Sequence, residues 1–389
     1  MKDYLPFGRP NFSETEIAAV GRIMRSGWVG MGRETILFEQ ELAAAVGAKH
    51  VVTVNSCTSA LHLALLISGV GSGDEVICPS LTWCSTANAA LYLGATPVFC
   101  DIDPHTLCLT PELVLARITP RTKAVVVVHF GGRAVDVAAL RAALPPGIRI
   151  VEDAAHALGA RYPDGQPIGS SGSPTCFSFY ANKNLSTAEG GAVALFDDEA
   201  ADRIRSFRQH GLPVDAWMRF THAQSLLMSS ALTELGYKMN YTDLQAAIGR
   251  VQLARQAEFA ETRLAVAHRY TEVLAATEPP LTLQAGCTDP SHARHLFVVR
   301  LPPPLSSQRD ALIVSMRAKN LGVSIHYAPL HLMPLYRGNL PPVSLPVTEQ
   351  VVREIMTLPI SASMTPDDAA EVAAELRAQM SSLAVGCDR

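Results

Sequence analysis

Charge is scarce in this chain: 17% of its 389 residues are Asp, Glu, Lys or Arg, and 32 basic against 36 acidic side chains leave a formal net charge of −4. With no basic excess and no run of one sign, the sequence carries no electrostatic footprint for a polyanion, and nucleic acid is set aside as a partner. Cysteine is sparse too. The eight cysteines never stand as Cys-x-x-Cys, so neither a disulfide scaffold nor a zinc site is expected, and no metal is assigned. Cys78, Cys100 and Cys176 sit inside apolar runs, where a reduced thiol behaves as a small hydrophobe. No apolar window approaches membrane-spanning length, and Met1-Lys2-Asp3-Tyr4-Leu5-Pro6 lacks the basic-then-apolar pattern of a leader. A soluble cytoplasmic protein with no membrane partner is expected. Repeats and low-complexity tracts are absent, which sets solenoids and disordered architectures aside.

Apolar residues are what the chain has in quantity. They make up 48% of it, and its mean hydropathy of +0.16 is above that of an average soluble protein. The length exceeds the usual single core, so a large domain with a smaller partner is the natural reading, with much surface buried between subunits. From His50 onward, β-rich runs alternate with helix-like segments: His50 to Val54, Glu75 to Pro79, Thr96 to Ile102, Lys123 to Phe130, Ile148 to Glu152, Thr175 to Tyr180 and Ala192 to Phe196. Such alternation predicts parallel strands joined by crossovers. The nearly unbroken apolar runs Val51-Val52-Thr53-Val54 and Ala124 to Val128 suit strands covered on both faces, the three-layer α/β class.

Helix signals complete the outline. Ser13-Glu14-Thr15-Glu16 has the capping-box pattern, and the helix it opens is predicted to stop near Gly27. Gly69-Val-Gly71-Ser-Gly73 follows a helix and not a strand, so it reads as a helix stop and not as a dinucleotide fingerprint. One long helix is predicted from about Thr242 to Ala276. Beyond it lie a strand at Leu296 to Arg300, a helix near Ser307 to Lys319, and a last helix opening at Thr365-Pro366. The resulting division is a large domain over 1–245 and a small C-terminal α/β domain over 246–389.

Three segments could carry chemistry. Lys183 stands in a polar turn between two strands, followed by Glu189-Gly190-Gly191; lysine is a nucleophile whose pKa falls readily on desolvation. The strand ending Glu152-Asp153-Ala-Ala-His156 sets carboxylates and an imidazole at the sheet edge where ligands collect. Asn55-Ser56-Cys57-Thr58-Ser59 leaves a strand and opens a helix, so its N–H groups and the Thr58 and Ser59 hydroxyls could hold a phosphate. Ordinary strand-to-helix connections look the same.

Taken together, these segments resemble the DegT/DnrJ/EryC1/StrS family of sugar aminotransferases. The motifs that carry the resemblance are Ser26-Gly-Trp28, Asn55-Ser-Cys-Thr-Ser-Ala-Leu61, Glu152-Asp-Ala-Ala-His156, Phe177-Ser-Phe-Tyr-Ala-Asn-Lys183, Glu189-Gly-Gly191, Gly236 to Ile248 and His326-Tyr-Ala-Pro-Leu-His331. The resemblance implies the fold-type I architecture of pyridoxal 5'-phosphate (PLP) enzymes, with the cofactor cycling through pyridoxamine phosphate. It implies Lys183 as Schiff-base lysine and acid/base, and Asp153 as partner of the pyridine nitrogen. It further implies Trp83 and His156 against the ring, and Thr58, Ser59 and Ser178 at the phosphate. Trp28, His326 and His331 are candidates to face substrate. The family's shared sites imply a homodimer whose 236–240 loop reaches the partner's phosphate through Lys238 or Asn240. Cys57 and Asn182 depart from the residues common at their positions, and neither departure removes a catalytic group.

The reaction so implied moves an amino group, with glutamate as donor, to the keto group of a nucleotide-linked sugar. A keto-cyclitol or other small keto compound is the alternative acceptor, and a non-catalytic member of the fold is the reading from another class. Arg208 to Tyr237, with Trp217, Met218, Arg219 and Phe220, reads as an insertion that shapes the pocket.

Overall fold

A computed structural model of the chain describes residues 4–212, 232 and 234–387. Most of the expected insertion, including Trp217, Met218, Arg219 and Phe220, lies outside the described residues. Among them a sheet forms from β1 (His50–Val54), β2 (Glu75–Pro79), β3 (Thr96–Cys100), β4 (Thr122–Val128), β5 (Arg149–Asp153), β6 (Thr175–Ser178) and β7 (Gly191–Leu195), in the order β1-β7-β6-β5-β4-β2-β3. Neighbouring strand residues feed opposite faces. In β4, Val125 and Val127 join one core with Phe38, Leu42, Phe177 and Tyr241, while Ala124 and Val126 join another with Leu61, Leu63 and Cys176. That alternation is what a sheet buried on both sides requires.

The mostly parallel sheet expected from the strand–helix alternation is present, with β3, β2, β4, β5 and β6 paired in parallel, and β7 is the exception. It runs antiparallel to both β6 and β1. The connection from Phe179 to Gly190 carries no helix, so the chain cannot cross over the sheet and must turn back beside β6. Lys183 lies in that return. Two glycines fix how tightly it closes: a Cβ on Gly191 would come 2.5 Å from the Cys57 nitrogen, and one on Gly190 would come 2.6 Å from the Tyr241 ring. The start of β7 therefore presses on the backbone that opens the helix Cys57–Ile67.

Ser13 caps the helix Glu14–Ser26 through the expected reciprocal bonds with Glu16, and Gly27 ends it in the left-handed conformation at φ 75°. The single long helix predicted after Thr242 is in fact two, Asp243–Ala254 and Gln256–Leu274, broken at Arg255. Arg255 reaches back to Asn11 and Glu16 with its guanidinium, a tertiary demand that the apolar pattern does not record. Residues 245 and 246 lie in the first turn of the Asp243–Ala254 helix, which packs on the helices Glu14–Ser26 and Arg33–Val46.

A second, smaller sheet joins β8 (Thr282–Leu283), β9 (Phe297–Arg300) and β10 (Ile355–Leu358) in the order β10-β9-β8. The helices Gln256–Leu274, Arg309–Ala318 and Pro366–Cys387 supply its core, with Tyr270, Leu312 and Leu376 fully or nearly fully buried. Leu296, Val298 and Ile355 belong instead to the core of the large sheet, so the two parts are welded by shared apolar packing. No described helix is long and apolar enough to cross a membrane.

Candidate active site

The parallel strands end on one edge, and the side chains just past those ends close around a cavity of about 470 Å³. β1 delivers Ser56 to Thr58, β5 delivers Asp153 and His156, and β6 delivers Ser178 and then Lys183. His326 and Tyr327 close it from the smaller part of the chain. Ligands of open α/β sheets gather at this edge.

Asp153 is 5% exposed. Its carboxylate accepts from the Thr86 hydroxyl at 2.7 Å and from the Ala155 N–H at 3.2 Å. Burial raises its pKa above the ordinary value, and those two donors, with the nearby Lys183 amine, restrain the rise. Lys183 is displaced in the opposite direction for the same reason. Desolvation lowers its amine to about 8, against the pull of Cys57 and Asp153, so a useful fraction is the nucleophilic free base near neutral pH.

The imidazole of His156 has its proton placed by the backbone. Gly131 N–H can only donate, and it lies 3.3 Å from Nδ1; the ring proton is therefore on Nε2, which donates to the Tyr327 hydroxyl at 3.0 Å. Burial keeps this ring neutral. Directly behind Asp153, His129 repeats the arrangement: Val135 N–H donates to Nδ1 at 3.0 Å and Nε2 donates to Glu152 at 2.9 Å. Glu152 also accepts from Tyr162 at 2.5 Å and from Ser171. Apart from the half-buried Ser171, this network is buried, and it ties down the end of β5.

Tested against PLP, the donor set fits. A free amine, a buried carboxylate for a cationic ring nitrogen, and a helix N-terminus with the Thr58 hydroxyl for a phosphate line one cavity. Trp83, 60% exposed, offers a ring face at the rim, with its centroid 5.7 Å from that of Tyr327. The buried Oδ1 of Asn182, also on the cavity wall, has no hydrogen-bond partner among the described residues.

The sequence pattern of the DegT/DnrJ/EryC1/StrS aminotransferase family matches residues 10–377. The chain belongs to that family. Solved structures agree. The aminotransferase TlmJ from Streptoalloteichus hindustanus is 34% identical over 98% of this chain and 100% of its own, with a TM-score of 0.88. DesV from S. venezuelae, in complex with a ketimine intermediate, is 35% identical over 97% and 99%, TM-score 0.86. DesI, in the presence of its TDP-sugar product, is 31% identical over 97% and 93%, TM-score 0.85. The Streptococcus pneumoniae putative sugar aminotransferase Spr1654 is known in PLP and PMP forms, at 28% and 29% identity. As a DegT/DnrJ/EryC1/StrS protein, the chain is a PLP-dependent enzyme of the sugar aminotransferase family, with the fold expected of it.

Of the residues expected at the site in this family member, Thr58, Trp83, Asp153, His156, Ser178, Lys183 and His326 face the cavity together. Ser59 does not. Its hydroxyl donates to Asn55 at 2.6 Å and its N–H to Ser56 at 3.2 Å, so it braces the turn from behind. Lys238 is exposed and Asn240 donates to Tyr241 O at 3.3 Å; neither lines this cavity, although Asn55 N–H to Met239 O at 2.9 Å ties their loop to the cradle. Trp28 donates to Met31 O at 3.1 Å, away from the cavity. His331 is buried against the Ser80 hydroxyl at 2.7 Å and is also off the cavity wall.

Sequence reasoning passes over Tyr327 and His295. Tyr327 stands inside a quoted motif next to His326, and that adjacency was its only signal. His295 has none: it precedes β9, and only the fold brings it 3.3 Å from the Lys183 amine.

Proposed function

We propose that the chain transfers the amino group of glutamate to a keto group of a nucleotide-linked sugar, as a cytoplasmic homodimer. The observation that carries the reading is a lysine amine, lowered to about 8 by burial, sharing a cavity with a buried strand-end carboxylate. Bound PLP supplies an electron-accepting ring on which amino groups are exchanged. Lys183 then anchors the ring and, at Nζ, carries a proton to and from the reacting carbon. General acid/base help of this kind is worth roughly 10²–10⁴-fold. Asp153 keeps the ring nitrogen protonated, His156 and Trp83 orient the ring, and Thr58 and Ser178 hold the phosphate.

Support for a nucleotide sugar comes from the TDP-sugar product of the related DesI. Support for a dimer comes from Lys238 and Asn240, which sit beside the cradle without entering it, at the positions where the family resemblance implies contact with a partner's phosphate. The described cysteines are all unpaired thiols, in keeping with a reducing compartment.

The test is optical. Protein mixed with PLP turns yellow, glutamate alone bleaches the band, and a thymidine-diphosphate keto sugar restores it. No band would overturn the lysine assignment, and a band indifferent to glutamate would overturn the donor. Restoration by a keto-inositol but not by the nucleotide sugar would move the acceptor to the cyclitols.

A further inference from the structure

We infer that His295 is a positioning residue for the reaction, a fixed hydrogen-bond acceptor that receives the Lys183 amine whenever that amine is not covalently engaged. The inference rests on the role proposed for Lys183 and adds the partner that role requires. Aminotransfer releases the lysine in each half-reaction and then needs it back in place, and its flexible four-carbon stem loses rotamer freedom each time.

The geometry assigns the acceptor. His295 is buried, with Nε2 3.3 Å from Lys183 Nζ and Nδ1 3.3 Å from Asn184 Oδ1. The amide of Asn184 is oriented by a carbonyl: its nitrogen donates to Ala293 O at 2.7 Å, and a carbonyl cannot donate in return. Oδ1 therefore faces the imidazole and demands a proton on Nδ1. That leaves the Nε2 lone pair bare, aimed at the amine. The His156 ring lies against His295 with centroids 4.5 Å apart at 31°, which fixes the ring plane.

The surroundings keep the imidazole neutral and hence accepting. Burial is the main cause, and the groups that bear on it are Lys183, His156, Arg263 and His326, none of them a carboxylate. Lys183 itself feels Cys57 and Asp153, and its charge in turn bears on His156, His295 and His326. His295 is not part of the cavity wall, so its effect on substrate passes through Lys183.

The experiment uses apo-protein of the full chain and follows growth of the yellow band after mixing with PLP, as a function of pH around 8, the value to which Lys183 is lowered. Only the unprotonated amine adds to the aldehyde, so the midpoint reads Lys183 directly. Acceptance strengthens when the donor is charged, so His295→Leu is expected to move the midpoint down by about one unit. The limiting rate is expected to fall about tenfold or more as the amine loses its fixed place. His295→Gln, whose Oε1 replaces the acceptor, restores both.

An unchanged midpoint and limiting rate in His295→Leu overturn the inference. Should that variant fail to fold, ¹⁵N NMR of the wild-type apo-protein decides: Nδ1 protonated and Nε2 bare supports it, and the reverse tautomer overturns it. Lys183→Ala separates this from the reading beneath it, since a yellow band persisting there would refute the lysine assignment itself.

Discussion

Replacing Thr86 with valine perturbs the key carboxylate without touching it. Thr86 is fully buried and donates its only proton to Asp153 Oδ2 at 2.7 Å, while Thr82, 2.9 Å away, donates to Thr86 in turn. A hydrogen bond to a charged group is worth about 1.5–3 kcal/mol, against about 0.5–1.5 for a neutral pair. The sign with pH follows from the direction of the Asp153 shift. Its folded pKa lies above the reference of 3.8 because of burial, so the folded protein binds the extra proton and stability falls as pH rises through that folded pKa. Thr86→Val pushes the pKa further up and deepens the fall. At pH above the folded pKa the variant should be less stable than wild type by about 1.5–3 kcal/mol, and the gap should shrink toward the neutral-pair value as pH drops through it. Urea denaturation of both apo-proteins, followed by tryptophan fluorescence at several pH values, measures this. A gap that is constant with pH, or that widens in acid, would refute the claim that Thr86 stabilises a charged Asp153.

Lys183→Met should make the apo-protein more stable at neutral pH, by about 3 kcal/mol from the fall of its pKa from 10.5 to about 8. A lowered base stabilises the fold as pH rises, so this advantage should vanish between 8 and 10.5 in the same denaturation series. Arg208, 2.5 Å from Glu39 in a buried pair, should cost about 3–5 kcal/mol when changed to methionine because it strands a buried carboxylate. The double variant Glu39→Met/Arg208→Met should recover most of that loss in melting temperature. Asp243→Ala should cost about 2 kcal/mol in the same assay, since its carboxylate takes the N–H groups of Gly32 at 2.8 Å and Thr35 at 3.0 Å and so caps the helix Arg33–Val46 from across the molecule.

Strand positions were legible because a strand buried on both faces has little choice of residue: the runs at His50 and Glu75 begin and end where the sheet has them. Strand direction was not legible in the residues of β7, since β-rich composition reads the same either way; only the absence of a helix between β6 and β7 decides it. The break at Arg255 was hidden for a related reason, lying in a side chain's reach to Asn11 and Glu16 and not in any local breaker. At the site, Lys183 and Asp153 stand out in the sequence only as a pair, since a loop lysine or a strand-end carboxylate alone is commonly structural. A hydroxyl at a helix start can serve a ligand or a local brace equally well, and the Ser59 hydroxyl donates to Asn55 at 2.6 Å. His295 offers no local pattern at all, since its relation to Lys183 spans 112 positions of chain.

The strand order β1-β7-β6-β5-β4-β2-β3 has a consequence for synthesis. β1 is the first strand made, yet among the described residues its only neighbour in the sheet is β7, which ends at Leu195. A ribosome adding about 5–20 residues per second thus leaves an apolar edge waiting for roughly ten to thirty seconds, while β2, β3 and β4 already have one another to pair with. The same late strand follows the Lys183 turn, so the growing chain cannot finish its sheet before that turn is made, while His326 and Tyr327 close the cavity only later. Slow pairing of distant segments is a recognised hazard for association with other chains. Overproduction at lower temperature, or with a chaperone that shields β1, should therefore favour soluble enzyme.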